Sequence, residues 1–300
     1  MTVPSDDKYA KFSELRENVA RAGGQVILLP SHIIAYFPGD RERLVVTFDN
    51  RAALNHETRP TIWGDALLKD KKWGRLGVMS LEPNWFRCEQ LYAALEDLAA
   101  NTLVPAYDNF GIYANSMGGY AALTFAGLFP NAITVTANPQ TTLDEDIAPF
   151  ETRFRMNKRL GDWTGRYVDG LDGARTAQKN YVFYDPMVKP DKLHALRLAG
   201  DNTELFPCPW MGHPFITIAL TIKFWKPAVL ASLEGKIDRA AFYNSFRARR
   251  QNPRYMQELL QGAVDRNHPR LARHALDSFI ARGHPDDDGA LAKILEPKAA

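Results

Sequence analysis

The stretch FGIYANSMGGYAALTFAG, residues 110–127, decides the fold. Residues 110–114 form a short apolar run of strand character, and residues 117–129 read as a helix with small residues on one side, stopped by Pro130. A strand that ends at Asn115 and a helix that begins at Met117 leave Ser116 alone to make the reversal. Such a turn is strained, and it lifts the serine hydroxyl above the edge of the sheet. Gly118 and Gly119, in the first helical turn, let the helix pass close to the strand. Serine also caps helices well, and that is the competing reading of Ser116. Its position between an apolar strand and an Ala/Gly-rich helix favours the exposed turn.

Outward from this segment the same alternation continues. Residues 77–81 and 132–137 read as strands and 88–100 as a helix, the order of a parallel sheet covered on both faces. Upstream, strands at 25–29 and 32–37 face each other across Pro30-Ser31, and 44–48 follows them, so the domain is expected to open antiparallel. The alternation lapses between Asn138 and Asn180 into a polar and aromatic stretch too long for a simple loop. It resumes with strands at 181–184 and 204–206 and a long apolar helix at 215–233. Beyond Gly235 only helical patterns remain, at 240–249, 255–264 and 269–281. The expected architecture is α/β, with a mostly parallel central sheet, helices on both faces, a short helical cap and a C-terminal helical extension. Its divisions are 1–24, 25–234 with the cap at 141–179, and 235–300.

Charge excludes some partners. Thirty-seven basic residues against 35 acidic ones leave +2, too little to draw a nucleic acid or an anionic membrane. The four arginines Arg247, Arg249, Arg250 and Arg254 lack interleaved aromatics and read as a solvated helix face. No apolar run reaches the roughly 18 residues of a spanning helix. The first 24 residues are a charged helical pattern without a signal-peptide core, so a cytoplasmic protein with no membrane insertion is expected. Cys88 and Cys208 are too few for a disulfide framework and have no zinc-type spacing.

The run Ala114-Asn115-Ser116-Met117-Gly118 resembles the nucleophile elbow of the α/β-hydrolase family, Gly-x-Ser-x-Gly, with alanine for the first glycine. The resemblance covers about residues 25–234. It implies a serine hydrolase that works through an acyl-enzyme without a metal or organic cofactor, and a triad in the order Ser, Asp, His. Ser116 is then the nucleophile. His213, in CPWMGHPF after the last strand, is the expected base, with His194 its rival. Asp185, closing YVFYD, is the expected acid, and Asp191 is the alternative, otherwise read as the N-cap of a helix over 192–198. Met117 and Asn50 correspond to the backbone donors of the oxyanion hole.

The resemblance implies a small-molecule acyl substrate, an ester or a thioester. Arg51, Trp63 and Trp210 are the candidates to touch it, and Trp73, Trp85 and Trp163 lie on segments that could surround the same pocket. Residues 144–178, with Phe150, Phe154, Trp163 and Tyr167, are expected to be a mobile cap over Ser116. Two other functions stay open: an acyltransferase on the same scaffold, and a binding module acting through the helical tail. The tail is also the surface expected to meet a protein partner or a second copy of the chain.

Overall fold

Eight strands form one sheet: β1 (Gln25–Leu28), β2 (His32–Phe37), β3 (Asp40–Phe48), β4 (Trp73–Ser80), β5 (Phe110–Asn115), β6 (Ile133–Ala137), β7 (Lys179–Tyr184) and β8 (Thr203–Pro207). Their order is β1-β2-β4-β3-β5-β6-β7-β8. β2 runs antiparallel to β1 and β4, and all other pairs are parallel. The computed structural model describes residues 7–284, 286 and 289–296. The parts of the expected terminal segments that fall on 1–6, 285, 287–288 and 297–300 lie outside the described residues.

The strands bury both faces. In β5, Phe110, Ile112 and Ala114 pack into one core cluster and Tyr113 into the other, as the two-residue period of a strand requires. β3 divides in the same way, Leu44, Val46 and Phe48 against Val45. One face is covered by helices α2 (Glu89–Leu98) and α3 (Met117–Thr124), with α4 (Gly170–Thr176) against α3 at Gly173, the other by α6 (Trp225–Leu233) and α7 (Arg239–Phe246). Helix α1 (Ser13–Arg21) lays Leu15 and Val19 on Ile33, Ala35 and Met79 near the antiparallel edge. This is the α/β-hydrolase fold, with helices on both faces of a mostly parallel sheet.

Three local expectations differ. β3 does not extend the antiparallel opening, because β4 inserts between it and β2 and pairs in parallel with β3. The helix expected over 117–129 ends at Thr124 and tightens into a 3-10 turn, Phe125–Leu128. The long helix expected over 215–233 is two, a short Phe215–Ala219 and α6. Pro227 explains the break: lacking an N–H, it fits only in the first turn of a helix, so a new helix must start just before it.

Past Gly235 no strand occurs among the described residues. Phe242, Phe246 and Tyr255 join the same cluster as Phe183, Phe206 and Trp225, and each phenylalanine so buried contributes about 2 kcal/mol. Helices α8 (Pro253–Asp265) and α9 (Pro269–Ala281) then pair as a hairpin with its own small core of Leu260, Leu276 and Phe279. No described helix is long and apolar enough to cross a membrane.

Candidate active site

Ser116 sits at the carboxyl end of β5, where the chain reverses directly into α3 with φ 50° and ψ −122°. A non-glycine residue reaches this region only where its surroundings force it. They do so here. A Cβ at position 118 would stand 2.6 Å from the main-chain oxygens of Phe48 and Asp49, and one at 119 would stand 2.8 Å from Pro139. Gly118 thus lets the helix start press against the end of β3 and Gly119 against the chain just past β6, and Ser116 alone takes up the bend. Its side chain makes no cap hydrogen bond to the helix.

The serine hydroxyl instead meets a histidine. Oγ of Ser116 lies 2.9 Å from Nε2 of His213. Nδ1 of His213 lies 2.9 Å from Oδ2 and 3.1 Å from Oδ1 of Asp191. A carboxylate facing Nδ1 assigns the proton to that nitrogen and leaves the Nε2 lone pair to accept from serine. The structure therefore brings Ser116, His213 and Asp191 into one hydrogen-bonded line.

The expectation that Asp185 orients His213 is corrected by this geometry. Asp185 directly follows β7, but its oxygens are engaged by main-chain donors: Oδ1 accepts from Met187 N at 2.8 Å and Oδ2 from Gly212 N at 2.7 Å. The first bond is the local turn that aspartate makes with its own backbone two residues on. The second ties the strand end to the histidine loop. Burial raises the Asp185 pKa, against the pull of the main-chain donors of Met187, Gly212 and Trp210. Asp191, by contrast, is the third residue of helix α5 (Lys189–Arg197), whose N-cap is Val188, so it does not cap the helix. Its side chain is fully buried, points at His213, and gains from the positive end of α5.

The other partners of the site were not legible beforehand. Asn138, at φ 43° just past β6, donates Nδ2 to the carbonyls of Gly212 (2.8 Å) and His213 (3.1 Å) and accepts from Asp185 N at 3.0 Å. It fixes the histidine loop from below. Asparagine directly after a strand, where it tolerates a left-handed conformation, was the available signal. Glu151 and Arg153 come from the stretch after β6. Arg153 Nη2 donates to Asp191 Oδ1 at 2.8 Å, its Nε donates to Glu151 Oε1 at 3.0 Å, and Glu151 Oε2 accepts from His194 Nε2 at 3.2 Å. Nothing in the local pattern separates Arg153 from the arginines around it.

A cavity of about 560 Å³ opens over Ser116 and His213. Its walls include Asn50, Arg51, His56, Trp63, Phe154 and Leu220, and no Asp or Glu among the described residues lines it. Asn50 is held by its own side chain, which donates to Asn115 Oδ1 at 2.9 Å and accepts from Ala53 N at 3.0 Å. Met117, as the first residue of α3, carries one of the N–H groups that a helix start leaves without an intrahelical partner. Trp63 lies against Tyr113 with ring centroids 4.7 Å apart.

Trp210 does not line this cavity and is corrected as a substrate contact: it packs against α8 at Gly262, under the guanidinium of Arg266. Of the aromatics in the expected cap, only Phe154 is a cavity wall. Phe150 packs on His194, Trp163 on Tyr120, and Tyr167 on Phe125 and Tyr92. Trp73 lies beneath the cations of Arg43 and Lys71, and Trp85 supports Phe154 from behind. Among the described residues no group of three or more His, Cys, Asp or Glu side chains is arranged to hold a metal ion.

No family model matches this sequence, and no curated protein matches it. Several solved structures are similar in shape. The capsule O-acetyltransferase of Neisseria meningitidis serogroup A is 13% identical, over 69% of this chain and 95% of its own, with a TM-score of 0.45. MPT51 of Mycobacterium tuberculosis is 17% identical, over 71% and 98%, at 0.45. The Pyrococcus furiosus esterase Pf2001 is 13% identical, over 73% and 95%, also at 0.45.

Proposed function

We propose that this protein is a serine hydrolase that cleaves a carboxylic ester or thioester through an acyl-enzyme, with Ser116 as nucleophile, His213 as general base and Asp191 as the acid that orients it. The observation that carries this reading is the unbroken line from Ser116 Oγ through both nitrogens of His213 to Asp191, 2.9 Å at each step, at the floor of a cavity. A serine is a weak nucleophile until a base removes its proton, and the base is effective when a buried carboxylate stabilises the imidazolium that forms.

In the first half-reaction the Ser116 proton passes to Nε2 as Oγ bonds to the acyl carbon. The carbonyl oxygen becomes an anion, for which the N–H groups of Met117 and Asn50 are the donors we assign. The tetrahedral adduct collapses, the bond to the leaving alcohol or thiol breaks, and Nε2 returns the proton to it. Water then repeats the sequence at the acyl-enzyme. We further assign Arg51 and Trp63 to the substrate. Trp63 offers an apolar wall, and Arg51 is an exposed cation on a cavity that no carboxylate among the described residues lines, suited to an anionic substituent.

A fluorophosphonate probe tests the reading directly, because it phosphonylates only an activated serine. Intact-mass analysis is expected to show one adduct on the wild-type chain and none on Ser116→Ala. A folded wild-type protein that stays unlabelled would refute the hydrolase reading. An acyl-enzyme whose turnover is accelerated by added alcohols would instead move the assignment to acyl transfer.

A further inference from the structure

Asp191 is shared. One of its oxygens takes the His213 Nδ1–H at 2.9 Å, and the other takes Arg153 Nη2 at 2.8 Å. Glu151 clamps Arg153 through Nε and the same Nη2, and Nη1 of the guanidinium stands 3.3 Å from His213 Nδ1. The acid, the arginine and the base thus form a triangle at the end of the proposed proton path.

The chain continues inward. His194 Nδ1 lies 3.1 Å from the main-chain N–H of Thr141. A main-chain N–H can only donate, so Nδ1 is the acceptor and the ring proton sits on Nε2, facing Glu151. Burial lowers the His194 pKa despite the neighbouring Glu151, which keeps this histidine neutral. Burial alone would raise Glu151, yet the hydrogen bonds from His194 and Arg153 and the Arg153 charge bring it down to about 2. The cluster accordingly holds two carboxylates and one guanidinium. It carries one net negative charge while His213 is neutral and none when His213 is protonated.

We propose that Arg153 is a positioning residue for the base, on the serine-hydrolase reading above: it holds Oδ1 of Asp191 so that Oδ2 meets Nδ1, and its charge opposes protonation of His213. Two physical consequences follow. The two-point hold from Glu151 and Asp191 leaves the carboxylate one orientation, and preorganisation of this kind is where a catalytic carboxylate contributes most. A cation 3.3 Å from Nδ1 also repels the positive charge that the imidazolium would carry. Glu151 limits that effect by offsetting part of the arginine charge.

The remaining charged or titratable groups around the imidazole are His194 on α5, Asp185 after β7, Glu258 on α8 opposite Gly212, and Arg51 and His56 across the cavity. Among the described residues Nδ1 donates to Asp191, while the Arg153 guanidinium stands beside it as a charge and not as a hydrogen-bond partner.

The test compares Arg153→Met, Arg153→Lys and the charge-balanced pair Glu151→Gln/Arg153→Met. Each is read as the pH profile of kcat/KM on an activated ester and as the NMR titration of the His213 ring. Arg153→Met should move the acid limb and the ring titration upward by about one pH unit and lower plateau kcat about tenfold. Arg153→Lys should keep the limb near its wild-type position but lose plateau kcat, because an ammonium lacks the planar fork. The balanced pair guards against a fold lost to an uncompensated Glu151. It should also lose plateau kcat, with a smaller shift of the limb. Profiles and titrations of the folded balanced pair that superimpose on wild type would overturn the proposal. If no ester is turned over by the wild-type chain, the hydrolase reading fails, while the NMR titration still decides whether Arg153 governs His213.

Discussion

The indole of Trp210 fills a notch that exists only because residue 262 is glycine: a Cβ there would stand 2.0 Å from Cζ3 of the ring. Trp210 lies three residues before His213, and Arg266 of the same C-terminal hairpin covers the indole at 4.9 Å while donating to the Met187 carbonyl at 3.0 Å. The hairpin therefore braces both loops that lead to the proposed base and acid. Replacing Gly262→Leu should expel the indole and loosen the histidine loop. We expect kcat on an activated ester to fall about tenfold or more with little change in KM, and Tm to fall by several degrees. Wild-type kcat in the folded variant would show that the hairpin does not support the site.

The two aspartates after β7 give the sharpest mutational contrast. Asp191→Asn replaces the acceptor at Nδ1 with a group that can also donate, which favours the wrong imidazole tautomer. By analogy with triad acids in general, its kcat should drop by about 10³–10⁴ with the fold intact. Asp185→Asn leaves His213 its partner but weakens the anchors to Met187 and Gly212. It should mainly reduce stability, with kcat lowered far less. Equal kcat losses measured on one substrate, or the reverse ranking, would return the orienting role to Asp185.

The contrast also marks how far the sequence could be read. The turn at Ser116 was legible because its causes are local: an apolar strand, one residue for the reversal and two glycines behind it. The pairing of Ser116 with His213 is what the resemblance to the α/β-hydrolase elbow implies once the last strand is recognised. Which aspartate faces Nδ1 was not legible, because both follow β7 within a few residues. The choice rests on the rotation of α5, which turns Asp191 and His194, three residues apart, to the interior together. A helix whose buried face carries a carboxylate and an imidazole breaks the apolar pattern, and that break was the one sequence sign available. Arg153 and Glu151 left no sign at all, since the partners they hold besides each other, Asp191 and His194, come from another part of the chain. Trp210 was misplaced for a simpler reason: a tryptophan close to a catalytic loop can face either side of it, and only the Gly262 notch tells which.

Arg51 offers a prediction about substrate. It stands on the cavity wall in a 3-10 turn, Arg51–Asn55, with its side chain exposed and no ion-pair partner among the described residues. An exposed cation adds little affinity, so the effect should be modest and sensitive to salt. For a matched pair of esters, one neutral and one carrying a carboxylate, Arg51→Glu should lower kcat/KM on the anionic ester about three- to tenfold relative to the neutral one. The difference should shrink in high salt. A ratio unchanged by the substitution would remove Arg51 from substrate selection.

The last prediction concerns pH and stability through His32, which lies inside the sheet on β2, stacked on Phe86 at 5.4 Å with Nδ1 2.9 Å from Ser31 Oγ. Burial drives its pKa from 6.5 down to about 3, only partly opposed by the side chain of Asn84. A lowered pKa in the folded state means that the unfolded chain binds a proton below 6.5 that the folded chain refuses. The stability linked to His32 is therefore complete above that pH and is lost progressively as pH falls toward 3. By pH 4 the loss from this residue alone is about 3 kcal/mol, a large part of the margin of an ordinary domain. His194 acts in the same direction, and Glu151 extends the loss below 4.5 toward 2. Urea unfolding at pH 7 and pH 4 should show a steep decline for the wild-type chain and a clearly smaller decline for His32→Gln, whatever the variant's absolute stability. If His32→Gln loses as much stability between the two pH values as wild type, the buried imidazole is not the source of the acid sensitivity, and the Glu151–His194 pair becomes the group to substitute next.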